Sequence, residues 1–197
     1  EPVGDLHYYA GNFRRFIDVY DGGVQHVWVD MRNEVNSIGA RGMLGLALDP
    51  AFATDHRVFL MFTQELDPAN PDSGEAAGGE IISLKQQAGN PDLADLSTRV
   101  NLLGGYPSTS TEHTIGDLHF DAQGKLLAST GDGADLGVLD GQALVSENLD
   151  DLRGKILRID PNTGLGVPGN PYYNAGQPGS VRSKVFARGF RNPYRFS

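Results

Sequence analysis

The sequence contains no cysteine, which excludes disulfide bonds and thiolate metal sites. It has no apolar run approaching ~18 residues, so it predicts no membrane-spanning helix. Basic residues are in the minority: 16 Lys and Arg against 25 Asp and Glu give a formal net charge of −9. This balance argues against nucleic acid and anionic membrane surfaces as partners. A sustained helical period is also missing, which leaves β structure as the expected fold class.

The two ends of the sequence indicate a piece of a longer protein. Glu1 is not an initiator Met and no signal peptide precedes it. At the other end, the sequence stops after Ser197, where a further strand should begin. Even so, a chain of 197 residues can form one domain that buries roughly 70% of its unfolded surface.

Glycine (26 residues) and proline (11 residues) are abundant, and they separate short runs rich in Val, Ile, Leu and Phe. Many short strands with turn residues between them predict an all-β sandwich, barrel or propeller. The predicted strands are Val24–Met31, Met43–Leu48, Arg57–Thr63, Glu80–Lys85, Gly116–Phe120, Lys125–Thr130, Lys155–Ile159 and Lys184–Ala187.

An internal repeat favours the propeller. A strand, a turn and a second strand recur, with marker glycines at Gly45 and Gly116, and Gly189 opens what resembles a third copy. A bare propeller blade has ~40–50 residues, and the spacing between these glycines is longer. We therefore expect polar insertion loops within the repeats, at Asp67–Gly79, Gly89–Thr111 and Asp135–Leu149.

The second repeat predicts a pair of functional side chains at the open end of a hairpin. Its turn is Asp121-Ala-Gln-Gly124, in which Gly124 supplies a positive φ. If Asp121 pairs with Gly124, His113 faces Asp132; a bulged turn shifts the register by one residue and keeps both side chains close. A His beside a carboxylate is a typical arrangement for a general base of fixed tautomer.

Four motifs follow one another along the chain. They are Gly42-Met-Leu-Gly-Leu-Ala-Leu-Asp-Pro-Ala-Phe52, His113-x-x-Gly116-x-Leu118-x-Phe120 with Gly124-Lys-Leu and Ser129-Thr-Gly-Asp-Gly133, Leu152-Arg-Gly-Lys-Ile-Leu-Arg-Ile-Asp-Pro161 and Gly189-Phe-Arg-Asn-Pro193. In this order they resemble the motifs of the soluble glucose/sorbosone dehydrogenases, which are six-bladed β-propellers that use pyrroloquinoline quinone (PQQ). The resemblance implies four-stranded antiparallel blades, with about half of the ring present. It covers residues 24–197 as a partial propeller, and residues 1–23 match poorly.

The resemblance also implies a mechanism and a location. His113 would take the proton from a sugar hydroxyl as hydride passes to PQQ, and Asp132 would orient and stabilise the imidazole. Arg191 and Asn192 would contact the quinone, with the guanidinium stabilising charge on its oxygens. Calcium would act as a Lewis acid on the quinone, with ligands mostly outside this chain. The protein would be secreted or periplasmic, and the electron acceptor stays open.

Two departures from the family pattern keep a second function open. Ala40 stands where characterised members have a glutamine that contacts the cofactor, and the calcium ligands and several basic cofactor contacts belong to later blades. The alternative is a non-catalytic extracellular propeller that binds glycan or protein. A third hypothesis, a calcium-dependent lactonase-like hydrolase, needs carboxylates converging on the ring axis. A homodimer or a longer parent protein would cover the strand edges that a half-ring exposes.

Each candidate residue also has a purely structural interpretation. His113 can be a hydrogen-bonded residue at a strand end, and Asp132 can cap backbone N–H groups in its Gly-Asp-Gly turn. Arg191 can pair with an acidic loop. His119, near Glu112 and His113, suggests a metal cluster that the distance along a strand makes improbable. Asn170-Pro-Tyr-Tyr173 either lines a sugar entrance or anchors a loop.

Overall fold

The computed structural model describes residues 7–9, 15–72, 74, 76–135, 137 and 141–197. Its strands form one three-stranded and two four-stranded antiparallel sheets. The three-stranded sheet contains β1 (His7–Tyr9), β2 (Phe16–Asp21) and β3 (Val24–Asp30). Much of the predicted poorly matching segment 1–23, namely residues 1–6 and 10–14, lies outside the described residues.

Each four-stranded sheet follows chain order from one edge to the other. The second sheet comprises β4 (Met43–Leu48), β5 (Arg57–Glu65), β6 (Ala76–Gln87) and β7 (Asn90–Tyr106), with helix α1 (Phe52–Asp55) after β4. The third sheet comprises β8 (Ile115–Phe120), β9 (Leu126–Thr130), β10 (Lys155–Ile159) and β11 (Val185–Arg188). A 3-10 helix (Gly141–Glu147) follows β9, and helix α2 (Val181–Lys184) precedes β11. This is the blade pattern of a β-propeller, and it confirms the predicted fold with about half of the ring present.

The strand predictions were accurate for most strands of the two four-stranded sheets, but they missed β2, the central strand of the first sheet, and β7, at an outer edge. β4 and β10 have the predicted bounds. The expected insertion loop Gly89–Thr111 is instead the long strand β7, most of whose side chains are exposed or half-buried. An outer strand in contact with solvent on both faces needs no apolar alternation, so its sequence resembles a polar loop. Residues 189–197, the expected opening of a third repeat, form no strand.

The two four-stranded sheets share a hydrophobic core. Gly45 lets β4 and β8, the first strands of these two sheets, approach each other, because a Cβ at Gly45 would lie 3.0 Å from the Leu118 Cγ of β8. Phe59 of β5 meets Phe120 of β8 edge to face, with ring centroids 5.1 Å apart. A second core cluster, which includes Ile17, Trp28 and Phe62, joins the first sheet to the second. Because the core lies between the sheets, their strand ends are rigidly positioned.

The β8–β9 hairpin contains two irregularities that compensate for each other. At the turn, the Asp121 N–H donates to the Lys125 carbonyl, so the loop is the bulged kind and shifts the simple register by one residue. A second irregularity between Ile115 and Leu118 shifts it back, and Ile115 pairs with Thr130. The residues just beyond these two strand ends, His113 and Asp132, therefore lie opposite each other.

No helix of the described residues is long and apolar enough to cross a bilayer.

Candidate active site

The site is centred on a buried hydrogen bond between an imidazole and a carboxylate. His113 Nδ1 lies 2.9 Å from Asp132 Oδ1, as the hairpin spacing predicts. The two side chains are only 4% and 1% exposed. His113 has φ +49°, a left-handed conformation that non-glycine residues rarely adopt. This conformation turns the chain just before β8 begins and must be stabilised by the contacts around it.

Backbone contacts fix the two sides of the pair to each other. The Gly131 N–H donates to the Thr114 carbonyl at 2.7 Å, and the Gly133 N–H donates to the His113 carbonyl at 3.0 Å. Glycine is required at position 131, because a Cβ there would lie 2.1 Å from the His113 carbonyl oxygen. The backbone segments that carry these two hydrogen-bonded side chains are therefore closely packed against each other.

The carboxylate of Asp132 has a second donor that fixes its orientation. Oδ1 also accepts from the Ala134 N–H at 2.9 Å. Because a carboxylate accepts hydrogen bonds, His113 Nδ1 carries the ring proton, and this N–H group donates a hydrogen bond to Asp132. His113 Nε2 then has a free lone pair, with no hydrogen-bond partner among the described residues. Asp132 therefore both caps its own turn and fixes the tautomer of His113.

Arg191 is brought to the same place by the segment that follows β11. The Asp132 N–H donates to the Arg191 carbonyl at 2.8 Å. The Arg191 guanidinium lies 4.0 Å from Asp132 Oδ2 and donates to the Asp135 carbonyl at 3.0 Å. Its side chain is 53% exposed, so about half of it is in contact with solvent. Asn192 is exposed beside it, and its backbone carbonyl accepts from the Tyr194 N–H.

Ala40 borders the loop that carries His113. Its N–H donates to the Thr111 carbonyl at 2.8 Å, and its carbonyl accepts from the Thr114 hydroxyl at 3.1 Å. The methyl side chain offers no polar atom in this position. The departure from the family pattern therefore lies next to the His113 loop.

A buried arginine next to Ala40 was missed by sequence reasoning. Arg41 is 3% exposed and donates to Ser108 Oγ, Asn36 Oδ1 and the Gly74 carbonyl. Burial lowers its pKa, and the carboxylate of Glu65 opposes that shift. Arg41 thus connects the Ala40 segment to the loop before His113. No motif marks it, because two of its three partners, Ser108 and Gly74, are distant in the sequence.

The other candidate residues have structural partners. His119 Nε2 pairs with Asp117 Oδ2 at 3.1 Å, and no group of three or more metal-ligating side chains occurs among the described residues. Asn170 is buried, and its amide donates to the carbonyls of Arg158 and Ser183. Asn170 is therefore a loop anchor, one of the two interpretations of its motif.

Known proteins with similar sequences span more than this chain does. The chain is 27% identical to aldose sugar dehydrogenase YliI of Escherichia coli K12, over 87% of this chain and 39% of that protein. It is 27% identical to the HIPL1 protein of Arabidopsis thaliana, over 91% of this chain and 32% of that protein. The chain therefore spans about a third of the length of these curated relatives.

Solved structures agree with the fold described above. The PQQ-bound form of aldose sugar dehydrogenase from Streptomyces coelicolor superposes with a TM-score of 0.70 at 26% identity, covering 94% of this chain and 47% of that chain. The apo-form of soluble aldose sugar dehydrogenase from Escherichia coli is 21% identical and superposes with a TM-score of 0.73. This superposition covers 98% of our chain and 50% of the Escherichia coli chain, and at 21% identity it supports the fold alone.

The family match is nearly as long as the chain. The Glucose / Sorbosone dehydrogenase family matches residues 14–196, a range that includes the His113–Asp132 pair and Arg191. Together with the propeller sheets, this match shows that the chain belongs to the Glucose / Sorbosone dehydrogenase family.

Proposed function

We propose that this chain carries the catalytic base of a PQQ-dependent sugar dehydrogenase that oxidises an aldose hydroxyl. The observation that supports it most is the buried His113–Asp132 hydrogen bond, which uses Nδ1 and leaves Nε2 as the ring nitrogen for a substrate proton; the half-exposed Arg191 side chain reaches the same carboxylate, 4.0 Å from Asp132 Oδ2. The named activity of the relatives, aldose sugar dehydrogenase, gives the substrate class.

The residues present fit part of a quinone site. Arg191 offers a half-exposed cation that can stabilise anionic oxygens, and Asn192 is exposed next to it. Ala40 supplies no polar side chain, so Arg191 and Asn192 would hold the cofactor together with residues outside this chain. When bound, PQQ supplies the two-electron acceptor that takes hydride from the sugar carbon. We assign calcium to the same missing part of the site.

The proton chemistry belongs to this chain. His113 Nε2 accepts the proton of the sugar hydroxyl as the C–H hydride leaves. Asp132 holds the Nδ1 proton and stabilises the imidazolium that results, because its charge is buried next to the ring. A positioned general base contributes typically ~10²–10⁴-fold to a rate.

We propose a secreted or periplasmic location for the protein.

Calorimetric titration of PQQ, with calcium present, into the full protein tests this function. We expect saturable binding that Arg191→Ala weakens. Arg182→Ala is the matched control, because Arg182 is also half-exposed and pairs with Asp150 on the surface. No binding by the folded protein, or equal affinity in both variants, would contradict the assignment.

Ala40 favours the second candidate, a non-catalytic propeller that binds glycan or protein. The two functions differ in their response to His113→Ala. A dehydrogenase loses dye-linked oxidation of an aldose panel in this variant, whereas a recognition propeller shows no oxidation before the change and the same ligand binding after it.

A further inference from the structure

Lys155 is a buried ammonium whose donors are all used. It begins β10 and is fully buried. Its Nζ donates to the carbonyls of Val145, Ser146 and Arg153 at 3.0, 2.9 and 2.5 Å. A protonated amine has three N–H groups, so each one has a carbonyl acceptor. Two of these carbonyls belong to the 3-10 helix and one to the approach to β10.

One of these carbonyls, that of Ser146, belongs to a backbone network that reaches the candidate site. The Ser146 carbonyl also accepts from the Gly189 N–H at 3.0 Å. The Gly154 N–H donates to the Gly131 carbonyl at 2.8 Å, and the Phe190 N–H donates to the Gly154 carbonyl at 3.2 Å. Lys155 therefore lies where the segments before Asp132 and before Arg191 are both bonded to the start of β10.

We propose that Lys155 is a positioning residue that fixes the Asp132 turn relative to the Arg191 segment. This inference rests on the function proposed above for those two residues. The Asp132 N–H to Arg191 carbonyl bond joins the segments directly. The ammonium holds the 3-10 helix against these two segments. It contacts none of the reacting groups.

The charge of Lys155 depends on pH in an accessible range. Burial lowers its pKa to about 8; the carboxylates of Asp151 and Glu147 favour the charged form, and Arg188 and Arg153 oppose it. Below this pKa the three carbonyls each have a donor. Above it, a neutral amine has two N–H groups for three carbonyls, so one of the three hydrogen bonds that Lys155 makes to this backbone is lost.

Lys155→Met tests the proposal, with Lys184→Met as the matched control. Lys184 is a second buried lysine near the same sheet, and its Nζ donates to the Gly179 carbonyl, away from the Asp132 and Arg191 segments. By NMR, we expect the Gly189 and Asp132 amides to exchange with solvent at least about tenfold faster in Lys155→Met than in Lys184→Met.

The wild-type protein provides a second readout that needs no variant. The Gly189 and Asp132 amide signals and the His113 ring signals should shift in a step with a midpoint near pH 8. The step should persist in Lys184→Met and disappear in Lys155→Met. No step in the wild type, or equal amide exchange in both variants, overturns the proposal. Neither readout uses quinone or sugar, so its failure is distinguishable from failure of the proposed function.

Discussion

Gly131→Ala should separate the geometry of the candidate site from its chemistry. The backbone of Gly131 is compatible with alanine, but the new Cβ would lie 2.1 Å from the His113 carbonyl oxygen and 2.3 Å from its carbon. A carbon and an oxygen need more than 3 Å, so the His113 backbone must move by about 1 Å. We expect the free energy of unfolding to fall by about 1–3 kcal/mol, as for other overpacked sites.

The effect on turnover should be larger than the effect on stability. A displacement of about 1 Å in a catalytic group can reduce a rate by ~100-fold. Urea unfolding and dye-linked aldose oxidation of the full protein measure the two effects. Gly141→Ala is the control, because a Cβ at Gly141 has no atom within 4 Å. A folded Gly131→Ala protein with wild-type turnover and unshifted His113 NMR signals would refute the reasoning.

Three further predictions test the charge, the core and the buried lysine. Asp132→Asn should lower turnover by about 10²–10⁴-fold and the free energy of unfolding by only about 1–3 kcal/mol, because His113 loses its anionic acceptor; turnover within threefold of wild type would count against it. Phe59→Ala should cost about 3–5 kcal/mol in urea unfolding, whereas Phe186→Ala, at a side chain 44% exposed, should cost less than about 1 kcal/mol; equal losses would contradict the assigned core. The pKa of Lys155 is about 8 in the folded chain and 10.5 normally, so the unfolded chain binds the extra proton between these values and stability should rise with pH across that window, by at most about 3 kcal/mol. Unfolding at pH 7, 9 and 10.5 should show this rise, and Lys155→Met should lack it.

Local patterns made half of the site predictable. His113 and Asp132 belong to one hairpin, so strand spacing alone brings them together, and the bulged turn was anticipated as a one-residue shift. Arg191 was assigned to the site through a family motif, since no periodicity relates it to a hairpin so far away in the sequence. The structure then brings its carbonyl to the Asp132 N–H.

The buried residues and the strand that the sequence did not reveal depend on contacts with other segments of the chain. Arg41 and Lys155 belong to residue types that are usually found on the surface. Each is nevertheless buried, because carbonyl or hydroxyl oxygens of neighbouring loops accept its hydrogen bonds. Strand β7 was missed for the opposite reason: Pro91, Gly104 and its exposed polar residues resemble a loop, and only the pairing with β6 makes it a strand.

The hairpin that carries His113 and Asp132 also sets an order of assembly. These two residues are 19 positions apart, whereas the Arg191–Asp135 contact spans 56. Closing the longer loop costs about 1 kcal/mol more in chain entropy. During synthesis, both strands of the hairpin leave the ribosome before Arg191 has been added. The histidine and its carboxylate can therefore meet early, and the guanidinium joins a pair that is already formed.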